Sequence, residues 1–285
     1  YGGRGLTTLQ QVIWYEELAR ARAPHHINTT YVALMHAGPT LIAEGTDAQR
    51  AFHLPGILSG AHVWCQGFSE PQAGSDLASL RTRAESRGDH YVVSGQKIWS
   101  TRAHVADYAE LLVRTGQDAA KHAGITWLIL DMRAPGVTVR PMRTIDGESH
   151  FCEVFLDEVR VPVESRVGAE DDGWRVANVT LRFERGTAFA QHVINLRVQL
   201  VRLAALAKSR RGIDDELRRR IGRLDAQIEA LWRMTQMCIS EAERTGLPSP
   251  LGSAVKLRYS ELGQEIAGLA VRVTGRAILG GVALD

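Results

Sequence analysis

The sequence predicts an α+β multidomain protein in three consecutive parts. An N-terminal α-helical domain occupies residues 1–61, a central antiparallel β-barrel or sandwich 62–166, and a C-terminal antiparallel helical bundle 167–285. Three observations predict this order. Apolar residues recur at helical spacing to about residue 60, short runs rich in β-branched and aromatic residues follow, and long helical periodicities fill the remainder.

Leu9, Val12, Ile13, Leu18 and Ala19 place an amphipathic helix over 6–22, with Thr7 or Thr8 available to cap its first N–H groups. Two further apolar stretches, 29–43 and 47–58, are divided by Glu44-Gly45-Thr46-Asp47. There Gly45 ends one helix, and Thr46 or Asp47 caps the next. Strand-like runs follow at 62–69, 80–86, 90–100, 108–116, 125–132, 137–142 and 151–162. Arg87-Gly88-Asp89 separates the second run from the third, and Gly88, free to take positive φ, marks a hairpin turn. Helical patterns return over 173–210, 214–244 and 250–279, broken by Gly and Pro at "SRRGID" and "RTGLPSP". Long helices joined by short connections build an antiparallel bundle.

With 285 residues and 45% hydrophobic content the chain can bury a substantial core. Lys and Arg total 34 against 32 Asp and Glu, so charge does not point to nucleic acid or to an anionic membrane. Cys65, Cys152 and Cys238 are widely spaced without a CxxC pair, which speaks against a disulfide framework or a zinc site and fits a reducing, cytoplasmic setting. No apolar run reaches the ~20 residues of a membrane-spanning helix. The chain starts at Tyr1 rather than Met, from which we expect a segment before it.

The ten residues "GFSEPQAGSD", Gly67 to Asp76, are compatible by composition with any polar surface turn. They stand, however, in a series: "YGGRG", "FSEPQAGSDL", "VSGQKIWST", "ILDMRAPGVTVRP", "FCEVFLDEVRVP", then "GW" leading into "LRFERGTAFA". In order and spacing these blocks cover almost the whole chain, which resembles the acyl-CoA dehydrogenase family, in particular an actinobacterial branch that degrades lipids and steroid side chains. Some members of that branch are mixed tetramers of two related subunits.

The resemblance implies an FAD enzyme that oxidises an acyl-CoA thioester to the trans-2-enoyl-CoA. A carboxylate removes the α-proton while the β-hydrogen leaves as hydride to flavin N5. It also implies an electron-transferring flavoprotein or equivalent acceptor and a homo- or hetero-oligomeric assembly, with no metal, nucleic acid or membrane insertion. By position, the family's flavin contacts fall on Gln66, Phe68, Ser69, Gly74, Ser75, Trp99 and Thr101. The residue types suit the task. Ser69, Ser75 and Thr101 can donate to flavin oxygens, Gly74 admits close approach of a phosphate to backbone N–H groups, and Trp99 can pack beside the ring. Gln66 stands where an aromatic residue is frequent, and Gln72 where Gly is frequent.

The family keeps its base either in a C-terminal loop beyond Asp285 or early on a long helix, in an apolar-Glu-Arg context. The second place corresponds to "LRFERG" and makes Glu184 the candidate base, eleven residues after Gly173. Taken alone, a helical Glu flanked by Arg182 and Arg185 reads as a solvated ion pair. Where many relatives carry an Arg-x-x-Phe-Gly loop that reaches a neighbour's FAD, this chain reads "SRRGIDDELRRRIGRLDAQ", which leaves FAD stoichiometry open. The cluster Arg218, Arg219, Arg220 and Arg223 reads as a solvated helix face rather than a CoA phosphate site. His25, His26 and His36, without a carboxylate or Cys at useful spacing, read as surface or core histidines rather than metal ligands. Two other roles fit the same fold: a mainly structural subunit beside a catalytic partner, and another flavin reaction such as an oxidase or hydroxylase.

Overall fold

The computed structural model describes residues 1–21, 23, 29–116, 120–184, 189–210, 214–245 and 249–276, apart from the side chains of Glu184, Phe189 and Arg210. His25 and His26 lie outside the described residues. The chain divides into two units, one of residues 1–4 and 25–184, the other of 5–24 and 185–285.

Local chemistry sets the helix boundaries. α1 (Thr8–Arg20) and α3 (Asp47–Ser59) each begin with a capping box, Thr7 with Gln10 and Thr46 with Gln49. The stretch expected as one helix over 29–43 is a π-helical turn, Ala33–Ala37, running into α2 (Gly38–Glu44). α4 (Gly173–Glu184) and α5 (Phe189–Arg210) share the periodicity expected over 173–210. α6 (Asp215–Thr245) and α7 (Leu251–Thr274) complete the helices.

In the first unit every strand-like run of the sequence is a strand: β1 (Trp64–Gly67), β2 (Arg83–Ser86), β3 (His90–Thr101), β4 (Tyr108–Arg114), β5 (Ile125–Asp131), β6 (Val137–Met142) and β7 (Phe151–Pro162). A two-residue β8 (Arg166–Val167) adds to them. The sheet runs β6-β7-β3-β2-β4-β5-β8, with β1 beside β4. Gly88 turns the β2–β3 hairpin at φ 78°. Pairing is mostly antiparallel, but β1 runs parallel to β4, Gln66 opposite Glu110, which departs from the wholly antiparallel expectation. The loop from β1 to β2 and the long β3 intervene, so β1 and β4 meet as a crossover pair rather than a hairpin.

β4 and β5 are buried on both faces, as their near-continuous apolar runs require. One face packs Leu112, Ile125 and Trp127 with α2, α3, α4 and the π turn through Ala33, Leu41, Ile57 and Val176. The other packs Leu111, Val113 and Leu128 with Tyr91, Val93, Val154 and Val159. Gly173 opens α4 where a Cβ would lie 2.6 Å from the Thr126–Trp127 backbone, so only glycine lets the helix sit this close to β5.

At the far end of β1, His53 is buried among the rings of Phe52, His62, Trp64 and Tyr108. Burial, reinforced by nearby His62, pushes its pKa from 6.5 down to about 4. Between these values the unfolded chain binds the extra proton, so stability falls as pH drops from 6.5 towards 4. In melting curves recorded across this window, His53→Phe is expected to lose less stability than the parent protein. An equal acid loss in both would show that His53 stays uncharged for free.

In the second unit α5, α6 and α7 bury Leu196, Leu200, Leu203, Leu224, Ile228, Leu231, Leu262 and Ile266 against one another, and α1 packs on α5. Arg218 and Arg220 are exposed and paired with Asp215 and Glu216 on their own helix, the solvated face expected of them. Among the described residues no helix is long and apolar enough to cross a membrane, and no cluster of side chains could hold a metal ion.

Candidate functional site

β1 delivers the chain into the polar turn through Gly67, where a Cβ would come within 2.9 Å of Leu111. Phe68 is buried beyond it. Glu70 and Ala73 then exchange backbone hydrogen bonds, both 3.0 Å, closing a tight turn over Pro71 and Gln72. The Glu70 side chain turns inward. Its Oε1 accepts from Lys97 Nζ (2.8 Å) and Thr82 N (2.9 Å), and its Oε2 from Gln72 Nε2 and Arg81 N (both 2.7 Å).

Lys97, wholly buried on β3, also donates to the Phe68 carbonyl (3.2 Å), and Ile98 N donates to the Ser69 carbonyl (2.9 Å). Two consecutive residues of β3 thus clamp three consecutive residues of the turn. Burial alone would raise the Glu70 pKa, but the Lys97 charge and the donated hydrogen bonds outweigh it and hold the carboxyl below its usual range. Burial lowers Lys97 to about 8, with Glu70 opposing, so both groups are charged at neutral pH. With four donors on its two oxygens, Glu70 has no capacity left to act as a base.

What the clamp leaves outside is a row of donors. The backbone N–H groups of Gly74, Ser75 and Asp76, and the hydroxyls of Ser69, Ser75 and Thr101, find no partner among the described residues. Gly74 and Ser75 are exposed, and a Cβ on Gly74 would meet nothing within 4 Å. Successive unpaired N–H groups in a turn form an anion-binding concavity. Asp76 is held aside by Lys121 at 2.6 Å.

Trp99 stands beside this row. The β3–β7 pairing slips between Lys97 and Ser100, and in that bulge Trp99 takes φ 63° with its side chain 56% exposed and edge-on to Phe151. An aromatic residue in the left-handed region is strained by ~1–3 kcal/mol and marks a position held for a reason other than local stability.

Gln66 differs from the other candidates. Its Nε2 donates to Glu110 Oε1 (2.7 Å), and His36 Nδ1 lies 3.0 Å from the same oxygen. His36 therefore does have a carboxylate partner, 74 residues away, contrary to the expectation from spacing, because the π turn and β4 meet on the helix-facing side of the sheet. The signal available in the sequence was Glu110 itself, a lone charge inside the apolar run "YAELLVR".

Glu184 is the last residue of α4, and its side chain lies outside the described residues. One turn earlier, buried Thr180 meets the Thr40 hydroxyl at 2.9 Å and ties this helix to α2. The structure thus ties Phe68 and Ser69 to β3 next to Trp99, leaves Gly74 and Ser75 exposed in the turn that follows and Thr101 at the end of β3, sets Gln66 on β1 two residues before Phe68, and gives Glu184 a position on the helix packed against β5.

Along the chain, helices, a mostly antiparallel sheet and a helical bundle follow one another, with a donor-rich turn held beside a strained aromatic bulge. Residues 1–61, 65–159 and 171–280 match the N-terminal, middle and C-terminal domains of acyl-CoA dehydrogenase. The chain belongs to the acyl-CoA dehydrogenase family. It is 41% identical to acyl-CoA dehydrogenase IpdE1 of Mycobacterium tuberculosis over 97% of its length and 71% of that protein. It is 37% identical to FadE29 of the same organism, again over 97% and 71%. Among solved structures it is similar to the Tcur3481-Tcur3483 steroid ACAD, with TM-score 0.89, 33% identity and coverage of 97% of this chain and 71% of that one. It is also similar to the ChsE4-ChsE5 complex from Mycobacterium tuberculosis, with TM-score 0.83, 34% identity and coverage of 97% and 72%.

Proposed function

We propose that the chain binds FAD and converts a saturated acyl-CoA to the trans-2-enoyl-CoA, with Glu184 as the base. The observation that carries this reading is the unpartnered donor row, Ser69, Gly74, Ser75, Asp76 N–H and Thr101, fixed in place by the Glu70–Lys97 clamp. The donors suit a flavin in kind. Backbone N–H groups of 74–76 would hold phosphate oxygens, hydroxyls of Ser69 and Thr101 would donate to ring oxygens, and the Trp99 indole would offer a face to pack against. When bound, FAD supplies the two-electron acceptor for the β-hydrogen. The Glu184 carboxylate takes the α-proton, so that two C–H bonds break as one C=C bond forms. The clamp and Trp99 orient the acceptor and keep water from the reacting carbons.

The name of the steroid ACAD supports an acyl group attached to a steroid, and an electron-transferring flavoprotein or equivalent acceptor is what the family resemblance implies. The names of the similar structures also favour a second reading, in which this chain supports the flavin site of a related catalytic subunit, since the steroid ACAD and ChsE4-ChsE5 structures each pair two named chains. The test is titration of FAD into the full-length protein, alone and with its related subunit, followed by mass analysis of acyl-CoA incubated with an artificial electron acceptor. Product lighter by two hydrogens, formed by this chain and lost in Glu184→Gln, supports catalysis here. Product that survives Glu184→Gln moves the base elsewhere: to another residue of this chain if it forms without a second subunit, to the partner if it forms only with one.

Trp99 gives a prediction with opposite signs. Trp99→Gly relieves the left-handed backbone, so the FAD-free protein is expected to be equally stable or up to about 1 kcal/mol more stable. FAD affinity is expected to fall about tenfold as the aromatic face is lost. A parallel loss of both would make Trp99 an ordinary packing residue.

A further inference from the structure

We infer that Gln66 is a hydrogen-bond acceptor for the flavin ring, aimed outward by the buried carboxylate of Glu110. This rests on the FAD reading above and adds to it a role for the residue whose side chain departs from the family's frequent aromatic.

The chemistry of the buried partner fixes which end of the amide faces out. Glu110 is fully buried, and its Oε1 takes both the Gln66 amide at 2.7 Å and the His36 ring at 3.0 Å. Gln66 Nε2 donates to Glu110 Oε1 and lies 3.3 Å from His36 Nδ1, so the end of the amide that meets this pair is the NH₂ group. The carbonyl oxygen, Oε1, must then point away from the protein interior. It makes no hydrogen bond among the described residues, and it is not among the buried polar atoms that lack a partner, so it reaches solvent.

Burying a carboxyl group merely to hold a surface amide would be costly, because the group loses its hydration whatever the amide does outside. The arrangement makes sense if the amide's orientation matters. Gln66 is the third residue of strand β1, followed by Gly67, Phe68 and then Ser69, where the unpartnered donors begin. An acceptor followed by donors complements the oxidised isoalloxazine edge, whose carbonyl oxygens accept and whose single N–H, at N3, donates. A phenylalanine in place of Gln66 could not accept this proton. Glu110 and His36 would then be positioning residues: they touch no ligand, and act by locking the amide.

The experiment compares FAD with FAD methylated at N3, which cannot donate. Both are titrated into the full-length protein, with its related subunit present where FAD binding needs it, and binding is read from flavin fluorescence. The protein is expected to prefer FAD by about 5- to 150-fold, the range for leaving an acceptor unpaired. Gln66→Met should bring the preference down towards the steric effect of the methyl group. Glu110→Gln, which lets either amide turn around, should reduce it partway while FAD still binds. FAD binding without discrimination, or discrimination that survives Gln66→Met, would overturn this inference and leave the dehydrogenase reading standing. Full discrimination in Glu110→Gln would remove Glu110 as the positioning group. Failure of FAD to bind under every condition would overturn both readings.

Discussion

Glu184→Gln in the FAD-loaded protein is expected to slow flavin reduction by acyl-CoA by ~10²–10⁴-fold while FAD content stays unchanged, the range a positioned general base contributes. Glutamine keeps the length and shape of the side chain but cannot accept the α-proton. The effect should appear in the rate of reduction and not in thioester binding, because the lost interaction is made only as the C–H bond breaks. Rapid-mixing absorbance under anaerobic conditions separates the two. A variant that reduces flavin at the parent rate would show that the proton goes elsewhere.

The second large effect concerns the clamp. Lys97→Met fills most of the lysine's space but leaves Glu70 ionised and buried with only neutral donors, which is expected to cost about 3–5 kcal/mol. With the lysine charge gone, burial raises the Glu70 pKa instead of being outweighed. The native state then binds the proton more tightly than the unfolded chain, so the deficit should shrink as pH falls below neutral. In the parent the sign is reversed. There Glu70 stabilises above its ordinary range and the contribution is lost as pH drops through its lowered folded value. Adding Glu70→Gln to Lys97→Met should recover part of the loss, since no unpaired charge remains. Denaturant melts of the four proteins at two pH values test this. An additive double variant would deny the coupling.

Much of the fold was legible because it rests on local signals. Alternating or continuous apolar runs gave β1 to β7 with ends within about three residues, and Thr7, Thr46, Gly45 and Gly88 acted where such residues belong. What was not legible depends on register between distant segments. β8 is too short to carry a pattern, and the parallel β1–β4 pair leaves no mark in either strand's composition. The same holds within the site. Ser69, Gly74, Ser75, Trp99 and Thr101 were readable from quoted blocks. That Glu70 is spent as an anchor, however, required knowing that Lys97 and Thr82 converge on it. The left-handed Trp99 is likewise a product of the bulge, which sequence spacing does not encode.

The inward amide of Gln66 illustrates the limit most clearly. Its residue type suggested only a departure from an aromatic, whereas its meaning comes from Glu110 and His36, contributed by β4 and by the helices before the sheet. Buried polar groups of this kind are poorly visible in sequence because their partners are fixed by topology, not by spacing.

The most direct measurement is the absorbance of the FAD-loaded full-length protein, alone and with any related subunit that FAD binding requires, on anaerobic addition of a steroid- or fatty-acyl-CoA. The dehydrogenase reading predicts that the oxidised flavin band bleaches without oxygen, and that Glu184→Gln, retaining FAD, does not bleach on the same timescale. A protein that takes up no FAD, or a flavin that stays oxidised with every acyl-CoA offered, would contradict it.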